Sequence, residues 1–300
     1  MSWFLFALAG YFLYAVVTVI NKFLLRQRAT TKPIVFTFYI GVLSIFTFII
    51  APFGDFSWPG FQLFLFDLFV GVIFFVAIWA FYEALDVNEA SRVAPLIGGL
   101  IPIIVLLLSY IFLTEYLTRL QILAFFLLVF GGVLVSLKKS RGGIKESLRG
   151  FNFIILAIIF HAIYWILAKY VFENQEFITG FIWSRMGLVL ASGLVLLRPT
   201  WRKMIFDSEG QMTAGLGGGL IGAKIIAGFG SLLVHLAISM GSVALISAMQ
   251  GIEYVFLLIL TVIFSLKFPK FLEEKISGQI LAQKIIAVLL IGAGLVILAV

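Results

Sequence analysis

Long apolar runs alternate with short polar segments along the whole chain. A helix that crosses a bilayer needs about 20 mainly apolar residues, and ten runs meet this requirement. The pattern therefore predicts ten spanning helices, at residues 3–25, 33–52, 62–85, 91–113, 119–137, 151–172, 177–198, 212–240, 242–266 and 280–299. Their connections are short, which leaves no room for a soluble domain, and the longest polar ones are 138–150, 198–210 and 267–279.

Composition supports a membrane protein and excludes several kinds of chemistry. Only 12% of the residues are charged, against about 25% in soluble domains. The absence of cysteine excludes disulfides, thiol catalysis and zinc–thiolate sites, and no phosphate-binding glycine loop is present. We therefore expect no cofactor, no bound metal, no nucleic acid and no enzymatic activity. The expected partners are membrane lipids and a small-molecule substrate, with protons as a further possibility.

Basic residues predict the orientation of the chain. The connections on one side carry most of them, and cytoplasmic loops are enriched in lysine and arginine. These basic loops are therefore expected in the cytoplasm, and with ten crossings both termini lie outside. The expected location is the inner or plasma membrane. The basic residues of this side are Lys22, Arg26, Arg28, Lys32, Arg92, Lys138, Lys139, Arg141, Lys145, Arg149, Arg198, Arg202, Lys203, Lys267, Lys270 and Lys275.

The two halves of the chain resemble each other. "YAVVTVINKF" (14–23) aligns with "HAIYWILAKY" (161–170), and "QILAFFLLVFGGVLV" (121–135) aligns with "QKIIAVLLIGAGLVI" (283–297). Because five helices are an odd number, the second copy is inserted upside down. We predict repeats at 1–145 and 146–300, forming an all-α membrane fold of ten helices in two inverted repeats. This arrangement is typical of transporters with a substrate site near the midplane.

The run 81–137 contains motifs of a known family. It includes the turn "ALDVNEAS", Pro102 midway along helix 4, Glu115 in "TEYLT", and Gln121 leading to "GGVLV". In these features the chain resembles the drug/metabolite transporter superfamily, specifically its ten-helix EamA type. The resemblance implies alternating-access transport of small metabolites, often as export, and it does not fix a substrate.

Lys224 lies near the middle of predicted helix 8, where a lysine costs roughly 2.5–3.5 kcal/mol. Gly228, Ser231 and His235 follow it along one helical face. Glu253 lies in helix 9, with Gln250 one turn away. Measured from the turn that joins helices 8 and 9, the depths of Glu253 and Lys224 differ by roughly 7 Å. A contact between Lys224 and Glu253, directly or through water, is therefore plausible, and the sequence does not show whether the two pair directly. The pair either fixes the helix register or lines the cavity and exchanges its partner for substrate or proton.

Other polar residues within predicted helices are further candidates. Arg185 lies about eight residues into helix 7, and an inward position is favoured over snorkelling. His161 is either a packing residue or a proton relay. His235 aligns with Tyr82, and each is either a substrate contact or an interfacial aromatic. Candidates for substrate binding are thus Lys224, Glu253, Arg185, His161, His235, Gln250, Tyr82 and Ser231.

Four further residues are assigned structural roles. Pro102 is expected to kink helix 4, and Gly228 is expected to act as a hinge. Glu115 is expected to cap helix 5. Asp67, near a helix end, is expected to be solvated.

Together these residues predict a secondary transporter for a small zwitterionic or anionic metabolite resembling an amino acid. A substrate carboxylate would meet Lys224 or Arg185, and an amine would meet Glu253. Proton coupling would use Glu253 or His161. The alternatives are a multidrug exporter of lipophilic cations, a passive facilitator, and, less in keeping with the sequence, a membrane-embedded lipid enzyme. The sequence makes no prediction of the oligomeric state.

Overall fold

The structure is a computed structural model that describes residues 2–25, 32–88, 90–137, 150–207, 214–267 and 278–299. Within these residues the chain forms α-helices and one 3-10 segment. The helices are α1 (Ser2–Leu25), α2 (Pro33–Leu43), α3 (Phe61–Val87), α4 (Ala90–Phe112), α5 (Arg119–Ser136), α6 (Phe151–Asn174), α7 (Phe177–Val195), α8 (Pro199–Asp207), α9 (Ala214–Met240), α10 (Val243–Ala248), α11 (Gly251–Lys267) and α12 (Gly278–Ala299), and the 3-10 segment is Ser44–Phe53.

Ten segments of the described chain are long and apolar enough to cross a membrane. Their positions agree with the ten predicted spans to within a few residues, so the predicted all-α membrane fold is confirmed. The second span combines α2 with the 3-10 segment, and the ninth combines α10 with α11.

The second span departs from a regular helix at Ser44. The Ser44 hydroxyl donates to the Ile40 carbonyl at 2.9 Å, and the Thr47 hydroxyl donates to the Ser44 carbonyl at 2.6 Å. Pro52 also lies inside the segment, where it has no N–H to donate and disfavours an α-helix. Continuous apolar character therefore predicted a span here and missed its change of helix type.

The ninth span is broken near the middle of the membrane. Between α10 and α11, Gln250 N–H donates to the Ser247 carbonyl at 3.2 Å, and Glu253 N–H donates to the Gln250 carbonyl at 3.1 Å. These three-residue bonds tighten the chain into a turn. Gly251 follows the turn and lies against Gly132 of α5, where the two backbones approach too closely for a side chain.

Helix α8 was not predicted, because its sequence is polar enough to be interpreted as a loop. Pro199 stands at its first position, where the missing proline N–H costs nothing. The Arg198 guanidinium lies over the Trp201 ring at 4.4 Å, and Ile205 is buried. A short amphipathic helix therefore follows α7 at the end of its span.

Helix packing is consistent with two five-helix units in which the first helix of each unit packs against helices of the other unit. Helix α1 packs against α9 and α11, and its counterpart α6 packs against α3 and α4. The remaining counterpart pairs, α2 with α7 and α5 with α12, pack against each other. This is the pattern that a two-fold relation between the halves produces, while the boundary between residues 145 and 146 stays a prediction.

The two ends of the bundle differ. We call the end with connections 26–32, 88–89, 137–150, 196–213 and 268–277 the basic end, and the opposite end the far end. Near the middle of both helices, α3 and α7 cross at Gly71 and Gly187, and a Cβ on Gly71 would overlap the Ser184 carbonyl oxygen. The counterpart helices α2 and α9 do not pack along their lengths in the described residues.

Additional contacts close the far end. The Thr179 hydroxyl donates to the Asp55 carbonyl at 2.8 Å and accepts the Ser57 N–H at 3.0 Å. The Trp183 indole donates to the Ser57 carbonyl at 3.3 Å. Aromatic rings surround this indole at 5.0–6.1 Å between centroids, namely Phe48, Phe56, Trp58 and Phe64. We call the Gly71–Gly187 crossing together with these contacts the far-end seal.

Candidate substrate chamber

Arg185 is buried at the middle of α7, with 6% of its surface exposed. Its guanidinium lies 5.0 Å from the Phe74 ring and 4.7 Å from the Phe181 ring, and it donates to the Ser231 hydroxyl at 2.6 Å. Among the described residues no carboxylate lies within ion-pair distance of it. The guanidinium therefore points into the bundle and retains donors for an anion.

His235 lies one turn beyond Ser231 on the same face of α9, as predicted from the spacing. Its Nδ1 is 2.6 Å from the Ser231 carbonyl, and its Nε2 is 2.5 Å from the Tyr164 hydroxyl. A carbonyl only accepts, so Nδ1 carries a proton. His235 therefore has a fixed ring orientation that holds the Tyr164 hydroxyl at its Nε2.

Glu253 occupies the first turn of α11, immediately after the break in the ninth span. It accepts a hydrogen bond from the Thr18 hydroxyl at 3.3 Å. The N-terminal end of a helix favours a negative charge, which explains how this carboxylate tolerates its depth. Tyr14 of α1 lies beside Ser231 and within electrostatic range of both Arg185 and Glu253.

The predicted contact between Lys224 and Glu253 is wrong. Lys224 Nζ lies instead 3.7 Å from the centroid of the Phe36 ring, and no ion pair joins it to Glu253 in the described chain. Helix α1 packs against both α9 and α11, so the two hairpin partners do not meet at this depth. Tyr82 contacts the same Phe36 ring at 4.6 Å, which places both candidates in a separate cluster.

The remaining candidates lie outside the Arg185–His235 contacts and the cluster of Lys224 with Phe36 and Tyr82. His161 Nδ1 is 2.8 Å from the Ala157 carbonyl, and its ring meets Phe74 edge-on at 6.2 Å. Gln250 is half-buried at the break of the ninth span. Helices α4 and α9 continue without interruption through Pro102 and Gly228. A Cβ on Gly228 would meet nothing within 4 Å, so a hinge role for either residue stays a prediction.

Two predictions about carboxylates near helix ends are wrong. Thr118, not Glu115, caps α5, in a reciprocal pair with Gln121. Glu115 instead lies beside Ser109 and Ser242, where burial raises the pKa of its carboxyl. Asp67 is fully buried rather than solvated, because Gln175, remote in sequence, covers it.

Sequence reasoning also missed the side chains that surround Arg185, His235 and Glu253. These side chains are Tyr14, Thr18, Tyr164 and Phe74. In a chain with 33 phenylalanines and nine tyrosines, aromatic spacing carries little information about which rings face inward. The one available signal was the alignment of Tyr14 with His161, which placed two polar rings at equivalent points of the repeats.

Comparison with known proteins supports the fold and a family resemblance. A solved structure described only as "Crystal structure of protein" matches with a TM-score of 0.71 and 15% identity, over 99% of this chain and 96% of that one. At that identity the match shows the fold alone. No curated protein matches the sequence. Residues 1–137 match the EamA-like transporter family, so this part of the chain is similar to that family.

Proposed function

We propose that this protein is a secondary transporter for a small zwitterionic or anionic metabolite of amino-acid type. The observation that carries the proposal is the buried Arg185, which has no carboxylate partner in the described residues. A buried charge without a partner is costly, and ionised groups inside a membrane protein mark substrate or ion pathways. A substrate that supplies the missing anion accounts for this cost.

The surroundings of Arg185 match the parts of such a substrate. A guanidinium binds a carboxylate through two parallel hydrogen bonds. Glu253 offers an acceptor for an amine, and Tyr14 lies near both charged groups. Phe74 and Phe181 provide apolar surface for a side chain. The two opposite charges share one chamber without forming an ion pair, which leaves both free for ligand.

The asymmetry of the bundle supports alternating access. The far-end seal packs α3 against α7, while in the described residues α2 and α9 do not pack along their lengths. This difference supports a chamber that opens toward the basic end. Because basic loops favour the cytoplasm, we propose that substrate enters from the cytoplasm of the inner or plasma membrane and leaves outside. Glu253 is the proposed site where substrate amine and proton alternate.

Transport into proteoliposomes tests the substrate class. The panel contains radiolabelled neutral amino acids, monocarboxylates and a lipophilic cation. Each hydrogen bond to a charged group contributes about 1.5–3 kcal/mol, so Arg185→Gln should lower transport of carboxylates about 100-fold, with partial activity in Arg185→Lys. Arg202→Gln, on the exposed face of α8, is the matched control. Carboxylate transport that survives Arg185→Gln unchanged would overturn the proposal.

An exporter of lipophilic cations is the second candidate, because Glu253 and the aromatic walls also suit a cation. This candidate predicts that the lipophilic cation is transported, that Glu253→Gln abolishes its transport, and that Arg185→Gln increases it by removing a repelling charge. For the amino-acid substrate, Glu253→Gln should remove the dependence of transport on a pH gradient. A passive facilitator would show no such dependence in the unmodified protein.

A further inference from the structure

Asp67 and Gln175 form a polar pair near the far end, apart from the chamber. Asp67, on the second turn of α3, has 0% of its surface exposed. The Gln175 amide, between α6 and α7, donates from Nε2 to Asp67 Oδ1 at 2.7 Å. The other oxygen of each group, Asp67 Oδ2 and Gln175 Oε1, is also buried and has no hydrogen-bond partner among the residues that the structure describes.

Both unpartnered atoms are acceptors when Asp67 is ionised, so neither can satisfy the other. A buried polar atom without a partner costs about 1–3 kcal/mol. One proton on Asp67 Oδ2 changes this balance, because Oδ2 then becomes a donor for Gln175 Oε1. The carboxylic acid and the amide would close a ring of two hydrogen bonds that leaves no orphaned atom.

The neighbouring elements place no compensating cation on Asp67. On α6, Lys169 pairs with Glu173 at 3.5 Å, and the Tyr170 ring meets the Phe66 ring edge-on at 5.3 Å. Glu176 is the residue directly before α7, and Arg185 on α7 donates a hydrogen bond to Ser231. Asp55 lies in the linker before α3, and Tyr110 is on α4. Within the described chain, none of these groups forms an ion pair with Asp67.

We infer that the Asp67–Gln175 pair is a proton-binding site that controls the far-end seal. Asp67 is one helical turn from Gly71, and Gln175 belongs to the connection that leads into α7. Protonated Asp67 therefore ties α3 to this connection through two hydrogen bonds, and ionised Asp67 ties it through one. Proton binding closes the far end and proton loss loosens it. Coupling of this step to substrate movement rests on the proposed function, whereas proton binding does not.

Infrared difference spectroscopy reads the proton directly. The purified protein in lipid vesicles, without substrate, is titrated with acid while the C=O stretch of protonated carboxyls is followed. We expect Asp67→Asn to remove one titrating band, and Gln175→Leu to shift that band because its hydrogen-bond acceptor is gone. Asp86→Asn, an exposed carboxylate on the same helix, should leave the band unchanged. A spectrum of Asp67→Asn that matches the unmodified protein would overturn the site.

Sodium chloride at constant pH distinguishes a proton from a monovalent cation. If sodium ions abolish the Asp67 band, the cation displaces the proton from the site, and the assignment of seal control to the proton alone is wrong. If the band persists, the proton assignment holds.

The labelling rate of a single introduced cysteine measures how tightly the far-end seal is closed, since the chain has no cysteine of its own. Val171→Cys places a thiol at a position with 1% exposure, against Gly180 and behind the seal. Its labelling by a maleimide should slow about tenfold as Asp67 becomes protonated. With Asp67→Asn, whose amide reproduces both hydrogen bonds, labelling should be slow at every pH after correction for thiolate formation. An unchanged pH profile would refute control of the seal, and a titrating band without transport would refute only the proposed function.

Discussion

Corresponding helix pairs of the bundle are packed differently. Helices α3 and α7 cross near their middles with backbones in contact at Gly71 and Gly187. Helices α2 and α9 are the counterpart pair. In the described residues they do not pack along their lengths, and the Lys224 side chain reaches from α9 to Phe36 on α2. The same five-helix architecture is therefore packed tightly at one helix pair and loosely at its counterpart.

Sequence explains this difference. The alignment that pairs Tyr82 with His235 also pairs Gly71 with Lys224, since each lies eleven residues earlier on its helix. Glycine permits close approach of two helices, whereas a lysine requires space and a polar surrounding. We therefore expect the residue at this pair of positions to influence how closely each helix pair packs.

The largest expected effect concerns the glycine crossing itself. Gly187→Ala adds a methyl group that would overlap the Leu68 carbonyl oxygen, so we expect a loss of about 1–3 kcal/mol of unfolding free energy. Gly222→Ala adds the same methyl on α9, where nothing lies within 4 Å, and should be neutral or stabilising. Thermal unfolding in detergent measures both. Equal shifts for the two variants would contradict the proposed difference between the ends.

Replacing the lysine should make the two ends more alike. In Lys224→Gly, α2 and α9 can approach, so the basic end should close and transport should fall about tenfold, or about 1.4 kcal/mol. Spin labels at positions 32 and 221, both exposed, should move closer by several ångströms. Lys224→Met, which keeps the length of the side chain, should preserve the separation. A distance distribution unchanged by the glycine variant would sink this explanation.

A smaller effect is expected where the linker before α3 meets α7. Thr179→Val removes the hydroxyl that bonds Asp55 and Ser57, and we expect a loss of about 1 kcal/mol in unfolding free energy. Faster maleimide labelling of Val171→Cys should accompany it, because the far-end seal is weakened. Thr47→Val removes a bond within its own segment and should leave the labelling rate unchanged.

The smallest effect concerns Glu115 at the far end. Burial raises the pKa of its carboxyl from the ordinary 4.5, so the folded protein binds this proton more tightly than the unfolded chain does. Its contribution to stability is therefore present below the unfolded pKa and is lost as pH rises through the folded pKa. Glu115→Gln should flatten this decline and raise the unfolding midpoint slightly at pH 7. Glu176→Gln, exposed at the same end, should not.

The membrane fold follows directly from hydrophobic length, which is why the ten spans could be predicted. The break before Gly251 could not, because the bonds at Gln250 depend on close contact between Gly251 and Gly132 of another helix. Helix α8 was missed for the opposite reason, since its residues are too polar to register as a span.

Residues sharing one helical face were easier to predict than contacts between helices. Ser231 and His235 were placed together correctly from their spacing on α9. Their partners Arg185 and Tyr164 come from other helices, and no periodicity reports which helices meet. The Lys224–Glu253 contact failed for this reason, since adjacency in sequence suggested a pairing that α1 prevents.

The aromatic surroundings of Trp183 have a practical consequence. An indole in contact with rings emits at shorter wavelength than one exposed to water, and the Ser57 carbonyl fixes its orientation. Separation of α3 from α7 would hydrate this indole and shift its fluorescence to the red. The protein therefore carries a built-in optical reporter of its far end, whose signal Trp183→Phe would remove.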